Sequence, residues 1–86
     1  MSIARIRVEP GVTTRWHALH NTLERYLILQ GHGRMETGQR GAYSVSPGDW
    51  VTIPADVRQR ITNTGDDDLV FLAICSPRFR PACYRE

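Results

Sequence analysis

The sequence predicts a small all-β protein, built as an antiparallel β-barrel or jelly roll. Short runs of β-branched and aromatic residues recur along the 86 residues, and each run ends at a Gly, Pro, Asn or Asp turn signal. No segment keeps the helical period of apolar residues long enough to form a long helix. A chain of this length is expected to form one domain, residues 1–86.

The predicted strands follow from alternation between turn-rich connections. In chain order they cover residues 3–8, 13–19, 24–30, 33–37, 42–45, 49–53, 58–63 and 69–75. Because side chains alternate across a strand, Glu24 and Tyr26 share one face of the third strand, and Leu27 and Leu29 share the other. In the seventh strand Gln59 lies opposite a charged face. The pattern therefore directs Glu24 and Gln59 into the barrel, where an unpaired polar group is costly.

Composition and charge argue against several classes of protein. The net charge is +2, from 11 basic and 9 acidic residues that alternate instead of forming a basic stripe, so no nucleic-acid partner is expected. Arg78, Arg80 and Arg85 are interpreted as a solvated tail. No apolar run is long enough for a signal peptide or a membrane span, which predicts a cytoplasmic protein without a membrane partner. Cys75 and Cys83 are then expected to be reduced.

Two groups of residues resemble the motifs of the cupin superfamily, G-x5-H-x-H-x3/4-E-x6-G and G-x5-P-x-G-x2-H-x3-N. The first motif is matched by Gly11, His17, Glu24 and Gly31, and the second by Gly48, Pro54 and Asn63. The resemblance extends from about residue 11 to residue 72. It implies the small cupin β-barrel that the strand pattern also indicates.

The chain departs from these motifs at positions that matter for chemistry. Leu19 stands where the second histidine belongs, Asp56 replaces the glycine of the second motif, and Gln59 replaces its histidine. Cupins usually hold a metal ion with histidines and a glutamate, and the resemblance leaves His17 and Glu24 in register for that role.

The resemblance therefore implies a sparse metal site. Its ligands would be His17, Glu24 and Gln59, and His20 would join them if the strand ended at Leu19 and let the next side chain turn inward. Imidazole and carboxylate ligands suit a divalent transition metal, and Fe, Mn, Ni, Zn and Cu are not distinguished. Open coordination positions would admit water or a chelating substrate.

Two functions stay open. The first is a metal-binding cupin whose open pocket takes a small polar molecule. Whether it is an enzyme is not decided, because cupins include isomerases, dioxygenases, decarboxylases and lyases. Tyr26 is the candidate catalytic residue, or else an aromatic side chain whose hydroxyl finds a backbone partner. The second function is a metal-free binding or sensor module in which Gln59, Glu24 and Tyr26 bind the ligand by hydrogen bonds, and His17 is a hydrogen-bonded core residue.

The outer face of the third strand predicts a further partner. Leu27 and Leu29 would be exposed on an isolated barrel, and apolar strand faces of this kind are usually covered. Cupins commonly pair through such a sheet, so a homodimer is expected.

Overall fold

The computed structural model describes residues 1–86 and confirms the all-β prediction. The strands are β1 (Ser2–Val8), β2 (Ala18–Leu19), β3 (Leu23–Gln30), β4 (Gly33–Thr37), β5 (Gly41–Val45), β6 (Trp50–Ile53), β7 (Gln59–Asn63), β8 (Leu69–Ser76) and β9 (Tyr84–Arg85). A single turn of 3₁₀ helix, Pro81–Cys83, precedes β9. No helix in the structure is of the length and apolarity that crossing a membrane requires.

The strands form two large antiparallel sheets and one small one. The first sheet has the order β1-β8-β3-β6, the second β5-β4-β7, and the third pairs β2 with β9. The two large sheets share one hydrophobic core, as in a jelly roll, without strand pairing that would close them into a continuous barrel. The core follows from alternation, since every second residue of these strands points inward. Its largest fully buried side chains include Phe71, Ile28, Met35, Ile53 and Ile61.

The second predicted strand is shorter than expected. The sequence pattern predicts a strand over residues 13–19, but only Ala18–Leu19 forms one. Earlier in this segment, Thr13 and His17 make isolated bridges to Thr62 and Gln59 of β7. The segment touches β7 at intervals and then leaves it to pair with β9, a strand that the sequence pattern did not predict.

The outer face of the four-stranded sheet is partly apolar, as the alternation of β3 predicted. Leu27 is half-buried and Leu29 is 45% exposed. Ile3 of β1 and Trp50 of β6 lie on the same face and are 58% and 59% exposed. A homodimer through this face stays a prediction.

Gly31, between β3 and β4, is expected to be sensitive to a side chain for two reasons. Its φ is +83, and a Cβ there would lie 2.6 Å from the carbonyl oxygen of Asp68. Gly41 has nearly the same φ, +82, but open space around it. A left-handed alanine costs about 1–2 kcal/mol at either position. Gly31→Ala must also displace backbone, so it should lower the free energy of unfolding by roughly 1 kcal/mol more than Gly41→Ala. Equilibrium urea unfolding measures both, and equal losses would contradict the clash.

Candidate functional site

Glu24, Tyr26 and Gln59 meet between the two large sheets. The first two lie on β3, at alternate positions of its inner face, and Gln59 begins β7 in the opposite sheet. All three are buried, with exposed fractions of 7%, 5% and 1%. The prediction that Glu24 and Gln59 converge inside the fold is confirmed.

A chain of hydrogen bonds links these side chains across the core. The Tyr26 hydroxyl donates to Gln59 Oε1 at 2.6 Å. Gln59 Nε2 donates to Glu24 Oε1. The other carboxylate oxygen, Oε2, accepts from the Cys75 thiol at 3.8 Å. No buried side-chain nitrogen or oxygen in the protein lacks a hydrogen-bond partner. The chain of hydrogen bonds therefore satisfies these buried side chains without any group from outside the protein.

Burial is the main influence on the protonation of Glu24 and Tyr26. Removal from water raises the pKa of Glu24 above its ordinary 4.5, while the Gln59 hydrogen bond, the charge of His17 and the Cys75 thiol lower it to a smaller extent. Burial also raises the pKa of Tyr26 well above 10.0, with the Glu24 charge adding to the effect. The Tyr26 hydroxyl therefore keeps its proton, and that proton is engaged with Gln59.

His17 lies beside this chain of hydrogen bonds, half-buried. Its main chain forms two hydrogen bonds with that of Gln59: His17 N donates to Gln59 O at 3.1 Å, and Gln59 N donates to His17 O at 2.8 Å. Its Nδ1 lies 2.8 Å from the carbonyl oxygen of Arg15 and must donate, since a carbonyl only accepts. Its ring stacks on Tyr84, with centroids 5.0 Å apart and an interplanar angle of 16°. Tyr84, in the unpredicted strand β9, is a neighbour that sequence reasoning missed.

His20 does not join the others. Strand β2 ends at Leu19, which is 4% exposed, but the following His20 side chain is exposed and does not turn inward. His20 Nδ1 instead lies 2.8 Å from Asp56 Oδ1 at the surface. Asp56 occupies the place of the motif glycine and keeps a left-handed φ of +67, which explains why glycine suits that position.

The donor atoms of the site do not fit a metal centre. No group of three or more His, Cys, Asp and Glu side chains is arranged to hold a metal ion. Leu19 offers no donor at the position of the second motif histidine, and Gln59 uses both its amide oxygen and its amide nitrogen within the protein. Burial raises the pKa of the Cys75 thiol to about 11, so the thiol keeps its proton at neutral pH and donates to Glu24.

A cavity of about 310 Å³ opens beside Glu24, and we call it the Glu24 cavity. Its lining comprises Ser2, Ala4 and Ile6 of β1, Ala73 and Cys75 of β8, Glu24 and Phe79. The Phe79 N–H donates to Ser2 Oγ at 2.8 Å and fixes the segment after β8 at the edge of the cavity. Most of these residues are hydrophobic, and the volume is in the range of small-molecule sites. The strand pattern could not reveal this cavity, because Phe79 follows the last predicted strand.

A comparison with models of protein families shows the family of this chain. The family model described as a cupin domain matches residues 4–75. This chain belongs to the cupin family. A search of curated proteins gave no match for this cupin domain.

Solved structures share its fold. A predicted oxalate decarboxylase from Thermotoga maritima matches 85% of this chain with a TM-score of 0.79 and 30% identity. A variant of the oxalate decarboxylase OxdC of Bacillus subtilis matches 83% with a TM-score of 0.77 and 29% identity. The capsular polysaccharide assembling protein CapF of Staphylococcus aureus, at 23% identity, covers 95% of this chain with a TM-score of 0.81 and shares the fold alone. The matches span only 63%, 20% and 26% of those three chains.

The raised pKa of Glu24 predicts a specific titration. Carbon-13 NMR of the side-chain carboxyls should give Glu24 a midpoint above 4.5, and Gln59→Leu should move it higher because a hydrogen bond to the charged form is lost. The native state then binds this proton more tightly than the unfolded state. The contribution of Glu24 to the free energy of unfolding is therefore present below 4.5 and lost as the pH rises through the raised native pKa.

Glu36 provides an internal control in the same spectra. Arg60 hydrogen-bonds its carboxylate at 2.9 Å and lowers its pKa, so its midpoint should lie below 4.5 in both proteins. A Glu24 midpoint at or below that of Glu36 would contradict the assignment of burial as the dominant effect.

Proposed function

We propose that this cupin domain is a metal-free binding module that takes a small molecule in the Glu24 cavity. One observation carries the proposal: Glu24 lines a largely apolar cavity while an amide and a thiol, instead of further metal ligands, bind its carboxyl group. The carboxyl group that the cupin motif uses as a ligand is thereby available as the polar group of a small-molecule site.

The lining indicates the chemistry of the ligand. Five of the seven lining residues are hydrophobic, which favours a compact hydrocarbon body. A carboxylate offers about four lone-pair sites, and Gln59 and Cys75 occupy only some of them. The remaining sites can accept from a hydroxyl or amino group. The proposed ligand is therefore a small, mostly apolar molecule with one hydrogen-bond donor, and Glu24 sets its orientation.

A metal-binding function is the second candidate, and two observations favour it. His17 and Glu24 keep the motif positions, and a structure of the 29% identical Bacillus subtilis oxalate decarboxylase is described with Mn(II) centres. That structure also exceeds this chain in length about fourfold, since a match to 83% of this chain covers only 20% of it. Its reaction is therefore not carried over.

Restoring the motif histidines should separate the two candidates. After equilibrium dialysis against Mn²⁺ or Ni²⁺, elemental analysis should find no stoichiometric metal on the wild-type protein. It should find about one ion per chain on the Leu19→His/Gln59→His variant, because imidazole then replaces an apolar side chain and an amide. Adding His17→Ala to that variant should abolish the gain. Stoichiometric metal on the wild-type protein that is lost in His17→Ala would instead establish the metal-binding cupin.

Filling the Glu24 cavity tests the ligand site directly. Phenol, which has a hydroxyl donor, should give saturable amide shifts in NMR spectra of residues lining the cavity, and toluene should bind more weakly. Ala4→Leu should reduce phenol affinity roughly tenfold by occupying the space, whereas Ala42→Leu, an exposed alanine of β5, should not. Glu24→Gln should reduce the preference for phenol over toluene. Phenol shifts that persist equally in Ala4→Leu would show that the ligand lies elsewhere.

A further inference from the structure

A second concave site lies outside the core, where the C-terminal segment packs against the turn after β2. The His20 N–H donates to the Cys83 carbonyl at 2.7 Å, and β9 pairs with β2. These contacts hold the segment from Pro77 to Cys83 against His20, Asn21 and Thr22. Between them lies a groove of about 230 Å³, whose lining includes Arg78 and Arg80. We call it the Arg78/Arg80 groove.

Two basic residues and no acidic residue line the groove. Neither the Arg78 nor the Arg80 side chain makes an ion pair or a hydrogen bond within the protein, and no Asp or Glu is among the lining residues. Many other arginines are engaged. Acidic side chains pair with Arg7, Arg15, Arg34 and Arg60, and aromatic rings lie against Arg40, Arg58 and Arg60. The two guanidinium groups of the groove therefore have their donors free for a ligand.

Asp56, which does not line the groove, holds the residues of its opposite wall. Asp56 Oδ1 lies 2.8 Å from His20 Nδ1, and its Oδ2 accepts from the Asn21 N–H at 3.4 Å. Asn21 and Asp56 are the only residues other than glycine with positive φ, at 52° and 67°. Such conformations persist where surrounding contacts fix them. These contacts engage both carboxylate oxygens of Asp56, and they leave His20 Nε2 without a partner in the protein.

We propose that the Arg78/Arg80 groove binds the phosphate group of a small molecule. Two guanidinium groups balance the charge of a phosphate dianion, and their planar donors match its oxygens in pairs. The Asn21 side-chain amide supplies a further hydrogen-bond donor on the other wall. The groove is separate from the Glu24 cavity, so this proposal is independent of the function proposed above.

The test is a titration with inorganic phosphate at pH 8 and constant ionic strength, followed by amide NMR. Shifts of His20, Asn21, Thr22 and Cys83 should saturate together. Arg78→Gln and Arg80→Gln should each weaken binding, and the double variant should weaken it at least about tenfold. Acetate, a monovalent anion, should bind more weakly than phosphate.

Arg5→Gln is the matched control. Arg5 is also exposed and without an acidic partner, but it lies on the outer face of the four-stranded sheet. Its replacement should leave phosphate affinity unchanged. In each variant, the NMR spectrum of residues away from the groove should also match that of the wild-type protein. Non-saturating shifts, an equal loss in Arg5→Gln, or full affinity in the double variant would overturn the proposal. Acetate binding as tight as phosphate binding would overturn the assignment to phosphate.

Discussion

The amide of Gln59 connects the two large sheets at a point where the core is otherwise apolar. It accepts from Tyr26 and donates to Glu24, both on the facing sheet. A buried amide without partners costs about 1–3 kcal/mol in proteins, and an unpaired buried carboxylate costs more. Without Gln59, the Tyr26 hydroxyl has no partner and the Glu24 carboxyl group keeps only the Cys75 thiol. Replacing Tyr26 or Glu24 leaves one polar end of the Gln59 amide unsatisfied, so the three residues are energetically coupled through Gln59.

This arrangement explains how the family's metal-ligand positions coexist with a core that is complete without an ion. In a metal site, the carboxylate and the imidazoles are satisfied by the cation. Here a glutamine side chain, with both a donor and an acceptor, satisfies the carboxyl group and a tyrosine at once. Leu19 extends the apolar core into another ligand position, where it is buried. His17 remains, but its Nδ1 and its ring are held by Arg15 and Tyr84 at the edge.

Alternation along the strands was enough to predict most of the fold and the heart of the site. The charged neighbours Arg58 and Arg60 predict that Gln59 points inward, and a period of two places Glu24 and Tyr26 together on one face of β3. The outward direction of His20 does not follow from this rule, because β2 ends at Leu19 and both of its residues are buried. The C-terminal contacts had no such signal. Phe79 meets Ser2 and Tyr84 meets His17 across long stretches of chain, and no local periodicity encodes these pairs.

The segment after β8 gives the molecule a physical link between its interior and its surface. Phe79 lines the Glu24 cavity, while its neighbours Arg78 and Arg80 line the groove on the other side. This is the alternation of an extended chain, and Arg80 has extended backbone angles of −135° and 143°. A shift of the segment toward one side therefore changes the shape of both cavities. Where a ligand in one cavity moves the segment, thermodynamic linkage requires that a ligand in the other change its affinity by the same factor. The hydrogen bond from Phe79 to Ser2 resists such a shift, because moving Phe79 away from β1 breaks it.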